Sequence, residues 1–157
     1  MGNTRRDCAN STDFFPAPND HGLIVRVLDG PLTAASALKM SYAGITKGLT
    51  ALAAAMMLAA ARAGTAETLH AELAHSQPTL LAWFDRQIPS MYAKAYRWVA
   101  EMDEIAAFAG EDPAAQAILA GTARLYERLA ADFAGDKTEV SALDRFLTRT
   151  DTMKAAE

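Results

Sequence analysis

The chain has a single cysteine, Cys8, which excludes an intramolecular disulfide framework and fits a reducing compartment, the cytoplasm. No Gly-x-Gly occurs anywhere in the 157 residues, so the chain carries neither a dinucleotide-binding fingerprint nor a P-loop. Positive charge is not in excess. Fifteen Lys and Arg stand against 19 Asp and Glu, a formal net charge of −4, and no basic cluster interleaves with aromatics. Nucleic acid is thereby set aside as a partner. The opening residues, "MGNTRRDCANSTDFFPAPNDHG", lack the apolar core of a secretory signal. Arg6 stands where N-myristoylation wants Ser or Thr. The longest uncharged apolar run, residues 48–61, falls short of the ~20 residues a bilayer-spanning helix needs. The chain therefore reads as soluble, with no membrane partner. His21, His70 and His75 share no metal-ligand spacing, and the five-residue interval of the last two puts them on different faces of a helix, toward solvent. No metal site is expected, and no Ser-His-Asp or Cys-His arrangement can be built.

What is present is apolar and helical. With 51% hydrophobic and 22% charged residues, the chain suits one globular domain with a real core. Residues 1–22 read as a weakly ordered lead-in. Residues 23–32 hold the one strand signal, Ile24, Val25, Val27 and Leu28, closed by Asp29-Gly30-Pro31. A lone strand leaves its backbone groups without partners, so this one reads as the edge of a sheet whose other strands are elsewhere. Residues 33–149 then read as helix almost throughout, and 150–157 as a frayed tail. The first helix spans 33–63, with Gly64 as its C-terminal cap, far longer than the ~11–12 residue mean. A second starts at Thr65. A third has Ser76 as N-cap and Pro78 in its first turn, turns Leu80, Leu81, Phe84 and Ile88 inward, and breaks at Pro89-Ser90. The fourth, "MYAKAYRWVAEMDEIAAFA", places Tyr92, Tyr96, Val99, Met102, Ile105 and Phe108 at core spacing and ends at Gly110. Asp112-Pro113 opens a fifth helix, running to Gly135 with Ile118, Leu119, Leu125, Leu129 and Phe133 as its stripe. Thr138 starts a short last one. The fold class expected is all-α, a bundle around one long N-terminal helix.

Chemistry concentrates in "ASALKMSYAGITKG", residues 35–48, where Lys39 and Lys47 lie eight apart among small side chains. On a helix Ser36, Lys39, Ala43, Thr46 and Lys47 share a strip. A lysine on such a strip can form the floor of a cleft and exchange a proton with a substrate. The ordinary alternative is a solvated helix lysine. Glu101 and Glu104 share a face at i,i+3, as a solvated acidic stripe would, and Arg97 and Glu101 are spaced for a surface pair at i,i+4.

Residues 22–52, "GLIVRVLDGPLTAASALKMSYAGITKGLTAL", followed by "LHAELAHSQPTLLAWFDRQIPSMYAKAYRWVAEMDEIA", resemble the C-terminal helical domain of 6-phosphogluconate dehydrogenase-like proteins. These belong to the β-hydroxyacid dehydrogenase superfamily. The nearest likeness is to the subgroup in which a domain of unknown function follows the NAD(P)-binding domain. The resemblance covers more than half of the chain and rests on "ASALKM-Y", "TKG" and "YRWVAEM-EIA" in that order. It implies a preceding Rossmann domain, whose last strand would be residues 24–28, and NAD or NADP as cofactor, bound mainly by that domain. It implies that Lys39 is the catalytic lysine, exchanging the hydroxyl or carbonyl proton of a small hydroxyacid, and that the chain is a substrate-binding and homodimerising half, inactive alone. By the same likeness Ser36, Arg97 and Glu101 would contact substrate. Where the superfamily commonly has a substrate-holding asparagine, this chain has Ala43. The alternative is a helical dimerisation module without catalysis.

Overall fold

A computed structural model describes Leu28 and residues 30–149. The chain divides into two compact units, 1–35 and 36–157. In the first, the described residues are irregular and mostly exposed up to Ala34, whose N–H donates to the Pro31 carbonyl (2.8 Å) as a helix begins. Cys8, His21 and all but the last residue of the expected strand lie outside the described residues; Leu28 itself is irregular and exposed.

Six helices follow among the described residues: α1 (Ala34–Ala63), α2 (Ala66–Ser76), α3 (Pro78–Tyr92), α4 (Ala95–Phe108), α5 (Pro113–Ala134) and α6 (Thr138–Leu147). No strand occurs among the described residues, and the expected all-α bundle with a long first helix is what forms. The α4·α5 hairpin is the most extensive pairing, and α6 closes against α2, α3 and α5. The core gathers Ile88, Met91, Met102, Tyr126, Leu129 and Phe146, all but shut off from solvent.

The 30 residues of α1 extend about 45 Å. By length and composition this helix could cross a membrane, so the short apolar run does not by itself exclude that. What makes it a bundle element is its buried face, including Thr50, Ala51, Ala54, Met57 and Leu58. Small side chains let the backbones approach: a Cβ built on Gly44 would stand 3.1 Å from Ile105 Cγ2 of α4. The buried Thr50 hydroxyl donates to the Thr46 carbonyl (2.8 Å), so no polar group is stranded there. Gly64, at φ 72°, ends the helix in a left-handed turn. Its N–H donates to the Ala61 carbonyl and that of Thr65 to Ala60, the paired bonds of a Schellman motif.

Several local expectations need correction. Ser76 does not cap α3: it is the last residue of α2, its hydroxyl turned back to the Glu72 carbonyl (2.8 Å), and Gln77 precedes α3 without a side-chain cap. Pro89 does not break α3, which runs through it to Tyr92. The proline costs one ladder bond on an exposed face, while buried Ile88, Met91 and Tyr92 hold the last turn in the core. Tyr92 is therefore a core residue of α3, not of α4. Tyr96, Phe108 and Ile118, expected inward, are exposed. His70, expected in solvent, is 7% exposed and meets Phe146 edge to face at 5.6 Å, because α6 folds over that side of α2.

The start of α6 is capped from outside. Asp132 of α5 accepts from the N–H groups of Glu139 (3.0 Å) and Val140 (2.9 Å), donors that a helix's first turn leaves unsatisfied. Burial pushes this carboxyl up, but the backbone N–H donors, Glu139 and Val140 foremost, outweigh it and hold it below the ordinary range. A depressed folded-state pKa contributes stability that is present above the unfolded value, 3.8, and is lost as pH falls through the folded value. Asp132→Ala is expected to cost about 1 kcal/mol in urea unfolding at neutral pH. The gap between variant and parent should shrink below about pH 4.

Candidate functional site

The two lysines of α1 stand in different surroundings. Lys39 is exposed, as is Ser36 one turn earlier, and Lys39 has neither an ion pair nor a hydrogen bond among the described residues. Eight residues separate it from Lys47, which on an α-helix is a rise of about 12 Å and a rotation of about 80°. Lys47 thereby enters the crossing of α1 with α4 and α5. Along the strip read from the sequence, Ser36 and Lys39 are open to solvent, and Ala43, Thr46 and Lys47 are half-buried.

Lys47 is held at both ends. Its ammonium pairs with Glu101 of α4 at 2.5 Å, the two side chains being 15% and 45% exposed, and lies 5.2 Å from the centroid of the Trp98 ring. Its backbone carbonyl accepts from the Tyr126 hydroxyl of α5 at 2.5 Å. Trp98 in turn meets Tyr126 edge to face at 5.2 Å. Burial pushes the Tyr126 hydroxyl well above the usual tyrosine range, so it stays a donor throughout ordinary pH. The group Lys47, Trp98, Glu101 and Tyr126 is a three-helix clamp.

Glu101 thus takes Lys47 as its partner, 54 positions away, and not Arg97. Arg97 lies over the Tyr96 ring at 5.8 Å on an exposed part of α4. Ala43, half-buried, packs on the core beside Gly44. Lys39 and Ser36 share the open end of α1; Arg97 and Glu101 occupy separate environments on α4. Sequence reasoning missed Trp98 and Tyr126 as members of one cluster with Lys47. Only a cross-helix pairing brings them together, and no short-range spacing signals it.

A distinct feature lies between α1 and α5, an open apolar groove of about 930 Å³. None of Ser36, Lys39, Ala43, Arg97 and Glu101 lines it. Among the described residues no group of three or more His, Cys, Asp or Glu side chains is placed to hold a metal ion.

Residues 60–129 match the family model of a domain of unknown function (DUF1932). The matched stretch runs from the last turn of α1 into α5; it includes Arg97 and Glu101 and stops short of Ser36, Lys39 and Ala43. No curated protein and no solved structure matches the chain.

Proposed function

We propose that this chain is the C-terminal, substrate-binding and dimerising part of an NAD(P)-dependent oxidoreductase acting on a small hydroxyacid, working in the cytoplasm. The observation that carries the reading is the match of residues 60–129 to the domain model, a domain found at the C-terminus of 6-phosphogluconate dehydrogenase-like proteins. The uncovered start of α1 supports it, since Lys39 and Ser36 are open to whatever lies against that end.

These 157 residues contain no Gly-x-Gly, and α1 begins in an alanine-rich turn without the glycine cradle that a pyrophosphate needs. They do not fit a dinucleotide by themselves. The nicotinamide cofactor supplies hydride chemistry from a preceding domain. What this chain supplies is the proton and the grip. The Lys39 ammonium gives a proton to the substrate's carbonyl oxygen as the alcohol forms, and takes it back in the reverse direction. The Ser36 hydroxyl, one turn away, donates a hydrogen bond to the same small molecule. Ala43, one turn beyond Lys39, offers only a methyl group, in keeping with a substrate that asks for no amide there. Glu101, engaged by Lys47, acts on the site only by fixing α4 to α1, and Arg97 is free to meet a carboxylate.

The test is turnover. A protein carrying a Rossmann-type NAD(P)-binding domain ahead of this chain should consume or form NAD(P)H with members of a panel of small hydroxyacids and ketoacids. This chain alone should not. The reading fails if the joined protein binds the cofactor and turns over none of the panel.

The second reading, a dimerisation module without catalysis, is favoured by one observation, the apolar face that α1 leaves exposed. Turnover by the joined protein would remove it.

A further inference from the structure

The turn from α1 into α2 lies beside the end of α6, and the space between them is unfilled. Its floor is small: Ala61 and Gly64 from the end of α1, Ala66 from the start of α2 and Ala142 from α6. A Cβ built on Gly64 would meet nothing within 4 Å. The result is a cavity of about 270 Å³. The rest of its lining is charged, two guanidiniums and one carboxylate: Arg145, Arg149 and Glu67. Positive charge is therefore in excess there.

Basic side chains near a helix end ordinarily complement its last carbonyls. Arg149 does so in part, since its Nε donates to the Arg145 carbonyl (3.2 Å). That bond does not use the four Nη hydrogens of Arg149, and it does not explain an open space lined by both arginines. Arg145 is exposed and Arg149 half-buried, so a solute can reach both. The opposite wall is the first turn of α2. Its N–H groups have no partner within the helix, and Thr65 gives them no side-chain cap.

We infer that this cavity binds a phosphate group, held by the guanidinium forks of Arg145 and Arg149 with the first turn of α2 as its other wall. The volume lies just below the ~300–1,000 Å³ of pockets that enclose drug-sized molecules, which suits a small ligand. Donors come from two elements. A tetrahedral phosphate can meet both at once, whereas a planar carboxylate pairs along one edge with a single fork. The end of α1 lies about 36 Å from Lys39, so this site is apart from the catalytic reading above and does not rest on it. An occupant would fasten α6 to the α1–α2 turn.

The test is isothermal titration calorimetry of the full chain with inorganic phosphate at low ionic strength, with circular dichroism to verify helix content. The parent should bind one equivalent, and phosphate should raise its Tm more than sodium chloride of equal ionic strength does. Arg145→Ala and Arg149→Ala should keep the helix content and each weaken binding at least about tenfold. Arg124→Ala, exposed on α5 and outside the cavity, should bind as the parent does. Glycerol 3-phosphate distinguishes the source of the group. Tighter binding than inorganic phosphate marks a phosphate ester as the ligand, and equal binding marks free phosphate; either result upholds the site. Absence of both binding heat and a phosphate-specific rise in Tm overturns the inference. So does parental affinity in both arginine variants, since the anion then binds elsewhere. Acetate bound more tightly than phosphate would overturn the assignment to phosphate.

Discussion

Tyr126→Ala should be among the most destabilising single substitutions in the bundle, costing about 3–5 kcal/mol and lowering Tm by roughly 10 °C. Tyr126 is fully buried and joins the clamp's other two helices: its ring meets Trp98 of α4 and its hydroxyl reaches the Lys47 carbonyl of α1. Truncation opens a cavity where α1, α4 and α5 meet, among side chains that cannot collapse into it. Tyr126→Phe separates packing from the hydrogen bond. The Lys47 carbonyl keeps its helical partner, so this change should cost only about 1 kcal/mol. Urea unfolding of the two variants reads both numbers. Equal losses would mean that the hydroxyl, not the ring, holds the crossing.

Replacing Lys39 by alanine is expected to leave stability unchanged and to lower kcat of the joined protein about a hundred- to ten-thousandfold. The side chain is exposed and engages nothing among the described residues, so folding loses nothing with it; a positioned proton donor is lost outright. Lys47→Ala should show the reverse pattern. Its ammonium holds Glu101 and lies over the Trp98 ring, and a partly exposed pair with such a contact is worth about 1 kcal/mol. A fall in Tm with kcat within a few-fold of the parent is the expected result. The contrast matters because two lysines eight residues apart on one helix look alike in sequence.

Much of the fold was legible because it rests on local chemistry. Gly64, Gly110 and Asp112-Pro113 mark helix ends through local chemistry, the glycines by adopting a positive φ and Asp112 by its carboxylate, and those ends form as expected: Asp112 accepts from Ala114 and Ala115 (2.9 and 3.3 Å). Partner choice was less legible. Periodicity shows that Ile118 and Tyr96 are apolar and regularly spaced, but not which of two apolar faces the bundle covers. His70 is polar by type, and only the later arrival of α6 with Phe146 buries it. The same limit applies at the site. Nearest-neighbour spacing offers Arg97 to Glu101, whereas the crossing of α1 over α4 delivers Lys47. Lys39 stands among small neighbours in the sequence, and the structure leaves its side chain exposed.

Steady-state kinetics of Lys39→Ala in the protein with an NAD(P)-binding domain ahead of this chain bears most directly on the catalytic reading. NAD(P)H absorbance would be followed against the best hydroxyacid of the panel, with Lys47→Ala as the folded comparison. The expected result is a loss of about a hundredfold or more in kcat for Lys39→Ala alone, with cofactor binding and Tm at parental values. An unchanged kcat/KM in Lys39→Ala would contradict the role given to this lysine.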